Sequence, residues 1–425
     1  MRITTIRADE YVAFDEESIA EERKIRSQVI DIIDAVRTGK DRALRELTKR
    51  FDGVPIDDFR IDKETIDRAY RTIDPRLRDD LERAYRNIVA YHEKQLPTDY
   101  ALAVRKNCSV GQMTRPIDRA GLYVPGGTAQ YPSTVLMNAV PAKIAGVREV
   151  IMISPPDRAG KVAETVLAAA KIVGIERIYR LGGAQGIAAL AYGTESIPRV
   201  DKIVGPGNIY VTTAKKELFG VVGIDMIAGP TEVVIYADER TDPRYVAADL
   251  LAQAEHDARA RAILITSSRS LVERVNAELK RQSARLYRQD IIGQALSRYG
   301  QAILVSSASE ARSLIDAIAP EHLEVMVEDA EAFARTIRHA GSIFIGPYSP
   351  EPLGDYMSGT NHTLPTNRTA RFASPLGVAD FMKRQSFIHF DREGLKAYRD
   401  SIVRIARSEG LDGHANAIEV RFDED

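Results

Sequence analysis

The sequence predicts an α/β fold: two parallel-sheet domains with short helical segments at the N- and C-terminal ends. Three observations lead there. From Gly121 onward, short Val- and Ile-rich runs alternate with longer helical stretches, the pattern of βα units that builds a parallel sheet. A second series of the same kind starts near Glu232. The 425 residues exceed what one ordinary core organises, and 44% apolar with 28% charged residues is the balance of a globular protein.

The elements follow in order. Residues 16–50 carry Ile25, Val29, Ile32, Ile33 and Val36 at helical spacing, and a second helical stretch runs from Lys63 to about Lys94. Gly121-Leu-Tyr-Val-Pro reads as a strand entering a loop. Helix 134–146, strand Glu149–Ser154, helix 162–173 and strand Arg177–Leu181 come next. A Gly-rich turn, a helix ending at Ala191, strand Lys202–Val204 and helix 212–219 complete the first series. In the second, strands Val233–Tyr236, Ala262–Thr266, Ala302–Val305 and Ser342–Ile345 are separated by helices 243–256, 269–284 and 308–318. From about Phe381 the sheet pattern stops and a helical tail is expected.

Composition excludes several functions. A net charge of −2 gives no electrostatic case for nucleic acid or an anionic membrane. The single cysteine, Cys108, excludes an intrachain disulfide framework and a cysteine zinc cluster. No apolar run reaches membrane-spanning length, and the first residues have no secretory pattern, so a cytoplasmic location is expected.

Five groups of residues could carry chemistry, one of them a set of three Gly-rich turns. Ala319-Pro-Glu321-His322-Leu-Glu places a carboxylate beside an imidazole just after a proline that ends the preceding helix. Such a pair suits proton transfer near neutral pH, although most Glu-His pairs in proteins are solvated surface. Gly126-Gly127, Gly182-Gly183-Ala-Gln185-Gly186 and Gly205-Pro-Gly207-Asn208 each follow an expected strand. They fit either tight βα turns or phosphate cradles, and none has G-x-G-x-x-G spacing. Gln253 and His256, three apart, share a helix face; they could cap the helix or offer O and N donors to a divalent cation. Asp355 and His362 lie in a Gly-, Ser- and Asn-rich stretch that reads either as a turn with Asp355 as a local hydrogen-bond acceptor or as a site in which both could be ligands. Glu409 and His414 sit on the tail, where termini are often functionally empty. His92, His339 and His389 read as structural.

Taken together, these segments resemble the histidinol dehydrogenases. The most specific stretch runs from Ile224-Asp-Met-Ile-Ala-Gly-Pro-Thr-Glu232 through Ala247-Ala-Asp-Leu-Leu-Ala-Gln253-Ala-Glu-His256. Gly121-Leu-Tyr-Val-Pro-Gly-Gly, Gly205-Pro-Gly-Asn208, the 319–324 hexapeptide and Gly354-Asp-Tyr-Met-Ser-Gly-Thr-Asn-His362 also match, so the likeness covers essentially the whole chain. It implies two Rossmann-like domains without the standard fingerprint, in an intertwined homodimer. The implied division is an N-terminal segment, 1–20; a metal-bearing and catalytic domain, 21–120 plus 231–376; an NAD-side domain, 121–230; and a tail, 377–425, reaching the partner subunit.

The resemblance further implies Zn²⁺ held by Gln253, His256, Asp355 and His414 in a six-coordinate site with the substrate. It implies catalysis by Glu321 and His322, and NAD contacts from Tyr123, Gln185 and Asn208. Substrate contacts fall on Thr231, Gln253, His256, His322, Asp355, Glu409 and His414, with Glu409 and His414 donated across the dimer interface. Thr231 stands where many members have serine; the hydroxyl is kept. The implied reaction is the oxidation of L-histidinol to L-histidine through L-histidinal, the last step of histidine biosynthesis, with two NAD reduced. A zinc- and NAD-dependent relative acting on another polar alcohol is the alternative. Intact Glu321, His322 and all four expected ligands weigh against a non-catalytic binding scaffold.

Overall fold

The structure is a computed structural model that describes residues 2–11, 19–126 and 130–423. It divides into two units, one of residues 1–95 with 117–381 and one of residues 96–116 with 382–425.

The first unit holds two parallel sheets. One contains β1 (Thr4–Arg7), β9 (Glu232–Ala237), β10 (Arg261–Thr266), β11 (Gln301–Leu304), β12 (His322–Met326) and β13 (Ser342–Ile345), in the order β1-β11-β10-β9-β12-β13. The other contains β4 (Arg119–Tyr123), β5 (Glu149–Ser154), β6 (Arg177–Arg180), β7 (Lys202–Val204) and β8 (Gly223–Ile224), in the order β6-β5-β4-β7-β8. Their central strands β9 and β5 read as near-continuous apolar runs because both faces are covered: Val233, Val234 and Ile235 are all buried, as are Ile151, Met152 and Ile153. The parallel α/β fold expected from the sequence is present.

Several elements differ from expectation. The second helical stretch is two helices, Lys63–Thr72 and Pro75–His92; Asp74 caps the latter through the Arg76 amide, with Pro75 at its first turn. The first helix spans Ile19–Asp52 but breaks at Lys40, whose φ is +48°; the part expected from 16 to 18 lies outside the described residues. A further helix, Gln289–Tyr299, precedes β11. The Glu321-His322 pair does follow the end of helix Ala308–Ile318, but His322 opens strand β12, which sequence reading missed.

The second unit is an antiparallel sheet of β2 (Tyr100–Arg105), β3 (Cys108–Pro116) and β14 (Met382–His389), in the order β14-β3-β2, with helices Arg392–Lys396, Arg399–Ser408 and Asp412–Glu419. The expectation that strands end near Phe381 is therefore corrected. β14 exposes most of its side chains and lacks a clear apolar face, so its strand character depends on pairing with β3.

Candidate active site

Glu321 and His322 lie at the N-terminal edge of the six-stranded sheet. Parallel pairing sets His322 opposite Val233, which brings Thr231 and Glu232 alongside the pair. Helix Pro243–Ala254 leaves the far end of β9 and returns, delivering Gln253 in its last turn and His256 just beyond it. Helix Glu351–Tyr356 brings Glu351 and Asp355.

Backbone atoms of one residue fix both members of the pair. The Glu232 amide donates to Glu321 Oε2 at 3.0 Å, and the Thr231 hydroxyl donates to the same oxygen at 2.5 Å. The Glu232 carbonyl lies 3.2 Å from His322 Nδ1. A carbonyl can only accept, so Nδ1 carries the proton and Nε2 keeps its lone pair. That Nε2 is buried and makes no hydrogen bond among the described residues. The two side chains approach with Nδ1 and Oε2 3.7 Å apart. Burial pushes the Glu321 carboxyl up to about 7, against the opposing pull of His322, the Thr231 hydroxyl and the Glu232 amide. A carboxylate poised near neutrality beside a bare imidazole nitrogen can move protons in both directions.

A second group of donors gathers beside them. Ligand atoms of His256, Glu351 and Asp355 all lie within 4.8 Å of one another. His256 Nε2 is 3.9 Å from Glu351 Oε1, and His362 Nδ1 is 3.8 Å from Asp355 Oδ1. His362 Nε2 lies 3.2 Å from the Thr134 hydroxyl, which joins this loop to helix Pro132–Ile144 of the other sheet. Burial lowers both His256 and His362, opposed in each case by Asp355. Glu351 is raised well above the ordinary carboxylate range by burial and by neighbouring acids, Asp355 first among them. Behind it, burial raises Asp249 to about 6 against the opposing contact with Glu324, and burial together with repulsion from Asp249 raises Glu324 well above the ordinary carboxylate range.

This donor set fits a divalent cation. Gln253 is fully buried, and its Oε1 has no hydrogen-bond partner among the described residues. A buried carboxamide oxygen without a partner is costly unless something positive faces it. Oxygen and imidazole donors without sulfur suit a borderline metal such as zinc. A cation would also offset the repulsion among Glu351, Asp355 and their acidic neighbours.

The five-stranded sheet presents its glycine loops at the C-terminal edge, where α/β sheets commonly take ligands. Tyr123 ends β4; its hydroxyl accepts the Gly183 amide at 3.4 Å, and burial pushes it up to about 12. Helix Gly183–Tyr192 has no side-chain cap, so its first turn can face an anion, and Gln185 is buried within it. Gly205 has φ +116°, and a Cβ there would collide with the Tyr123 carbonyl oxygen. Its amide donates to Asp225 Oδ2 at 2.7 Å and its carbonyl accepts from Lys215 Nζ at 2.9 Å; Lys215 and Asp225 form a buried ion pair. Asn208 caps helix Ile209–Leu218 through the Tyr210 and Val211 amides. The loop is thus held rigid at Gly205, with Pro206 and Gly207 half-buried beyond it and Asn208 exposed. Gly127 lies outside the described residues.

The histidinol dehydrogenase family profile matches residues 16–422. The chain belongs to the histidinol dehydrogenase family. It is 51% identical over 404 residues to the histidinol dehydrogenase of Bacillus cereus, covering 95% of this chain and 94% of that one. It is 52% identical over 400 residues to that of Lactiplantibacillus plantarum, covering 94% and 93%. The crystal structure of histidinol dehydrogenase from Elizabethkingia anophelis superposes with a TM-score of 0.90 at 34% identity, over 99% of this chain and 98% of that one. The family makes this chain an oxidoreductase.

Of the expected residues, the structure brings together Thr231, Gln253, His256, Glu321, His322 and Asp355 on the six-stranded sheet. Tyr123, Gln185 and Asn208 sit on the five-stranded one. Glu409 and His414 are in the second unit, exposed, at the end of one helix and in the first turn of the next. Sequence reading missed Glu232, whose contribution is mostly backbone, and Glu351, which lies four residues before Asp355. The one available signal for Glu351 was its place on the turn below Asp355 in a helix opened by Pro350 and Pro352.

Proposed function

We propose that this chain oxidises L-histidinol to L-histidinal and then to L-histidine, reducing two NAD. The observation that carries the reading is the Glu321-His322 pair, with His322 Nε2 left bare by the Nδ1 contact to Glu232. Gln253, His256 and Asp355, with His414 of a partner subunit, would hold the zinc ion; Tyr123, Gln185 and Asn208 would line the NAD site. When bound, the zinc ion would dock the substrate's nitrogen donors and NAD would accept the hydride of each step.

His322 Nε2 takes the proton of the substrate hydroxyl as the C–H hydride departs, which leaves the aldehyde. The aldehyde must gain an oxygen before a second hydride can leave. Cys108 lies in none of the site's motifs; it is buried and 3.7 Å from Asp391. The oxygen therefore comes from water. Glu321 Oε2 already accepts two hydrogen bonds, which leaves Oε1 to take the proton of that water. The proton held by His322 returns to the aldehyde oxygen as water adds, which completes the gem-diol and frees Nε2. His322 then takes a gem-diol proton as the second hydride departs, and the carboxylic acid formed releases its last proton to solvent, leaving the carboxylate of histidine. Each base contributes roughly 10²–10⁴-fold.

The domain assignment follows the same logic: 21–120 plus 231–376 for metal and catalysis, 121–230 for NAD, 1–20 as the N-terminal segment and 377–425 as the tail. A homodimer in which Glu409 and His414 reach the partner's site is supported by the second unit's exposed apolar side chains Tyr100, Leu102, Ile405 and Leu411. Among the described residues no helix is long and apolar enough to cross a membrane, in keeping with a cytoplasmic enzyme. Steady-state oxidation of L-histidinol and of L-histidinal, each followed by NADH absorbance, tests the proposal. Failure of both substrates would refute it.

A further inference from the structure

Thr231 stands between the cation ligand and the base. Its hydroxyl donates to Glu321 Oε2 at 2.5 Å and accepts from Gln253 Nε2 at 2.7 Å. A hydroxyl has one proton. The Glu321 carboxylate, in its ionised form, can only accept, so that proton is committed to Glu321. Thr231 Oγ1 can then offer Gln253 only a lone pair, which draws the amide NH₂ toward it. The two ends of a carboxamide point in opposite directions, so Gln253 Oε1 must turn away, and there it is buried without a partner. Without that constraint, the NH₂ and the oxygen could exchange by a simple flip of the amide. Flipped, Gln253 would present two donor hydrogens to the cation instead of an oxygen.

We infer that Thr231 is a positioning residue: its hydroxyl selects the Gln253 amide orientation that presents oxygen to the divalent cation, and it ties that ligand to Glu321. The inference rests on the proposed zinc site. Thr231 then has no hydroxyl proton left to donate to a substrate, while its second lone pair can still accept from one. The chain Glu321–Thr231–Gln253 also makes the base a distant support of the metal ligand.

The test titrates Zn²⁺ alone onto the chelator-stripped full-length protein, read by competition with a chromophoric chelator. Thr231→Val should weaken Zn²⁺ binding by about 10–100-fold, the usual effect of losing a partner that orients a metal ligand. Thr231→Ser, which keeps the hydroxyl, should bind as the unsubstituted protein does. In a Gln253→Glu background, adding Thr231→Val should change Zn²⁺ affinity little, because a carboxylate has no wrong end to present. That last result separates orientation from general loosening of the site. Should Thr231→Val not yield folded protein, Thr231→Ala removes the same hydroxyl in a smaller side chain. Asp355→Asn is the control. If it weakens Zn²⁺ binding while Thr231→Val and Thr231→Ala do not, the inference fails and the zinc site stands. An equal loss from Thr231→Val in the Gln253→Glu background also overturns it. If the unsubstituted protein does not bind Zn²⁺, the zinc site itself fails.

Discussion

Replacing Glu321 with Gln should improve stability and damage catalysis, each with its own signature. The carboxyl is buried, and its value is raised from an ordinary 4.5 to about 7. At 1.36 kcal/mol per unit, that rise corresponds to roughly 3 kcal/mol of penalty for holding the charged form in the folded state. The sign follows from the raised value. Below about pH 4.5 the carboxyl is neutral in folded and unfolded chains alike, and the penalty is absent. As pH climbs from about 4.5 through 7, the unfolded state ionises first, and the native state loses relative stability. Glutamine cannot ionise, and its oxygen can still accept from Thr231 and Glu232. The variant should therefore match the unsubstituted protein near pH 4.5 and exceed it by roughly 3 kcal/mol at pH 8, about 3–4 °C in melting temperature for a chain of this length. Differences between the two proteins at each pH cancel the other titrating groups. In the same variant, histidinal oxidation should fall by roughly 10²–10⁴-fold, while histidinol oxidation falls by a smaller factor. Thermal melts across pH 4.5–8.5 and the two half-reactions assayed separately give both readings. A melting difference that does not change with pH, or equal loss in both half-reactions, would refute the reasoning.

Other perturbations separate the remaining parts. His322→Asn should reduce both half-reactions by roughly 10²–10⁴-fold, measured with each substrate, because both need the Nε2 lone pair. Gly205→Ala should raise KM for NAD more than KM for histidinol, since a Cβ at φ +116° meets the Tyr123 carbonyl and displaces the loop; the backbone strain should also cost roughly 1–3 kcal/mol of stability. Cys108→Ala should leave turnover of both substrates unchanged; a folded but inactive product would restore a thiol route for the aldehyde step.

The βα alternation was readable because strands buried on both faces are apolar throughout, and Glu149–Ser154, Lys202–Val204 and Ser342–Ile345 appear at their expected bounds. β12 escaped because it reads His-Leu-Glu-Val-Met, with a charge at its centre. Glu324 is tolerated there only because its proton is held by burial and by Asp249, and because it accepts the Glu351 amide at 2.8 Å. None of those partners is near it in sequence. β1 pairs with β11, setting Thr4 against Gln301, and β14 pairs with β3, setting Met382 against Pro116, so local pattern alone could not reveal them. The chemistry-bearing side chains were identifiable by type and motif. The function of Glu232 was not, since its amide and carbonyl act through the parallel register that sets Val233 against His322. The amide orientation of Gln253 likewise follows from a hydroxyl 22 residues away.

The most direct test is the stoichiometry of NADH formed from a limiting amount of L-histidinol, with the protein stripped by chelator and then reloaded with Zn²⁺. The account predicts two NADH per histidinol, with histidine as product, lost on stripping and restored by Zn²⁺. One NADH with accumulated histidinal, or full turnover without metal, would contradict it.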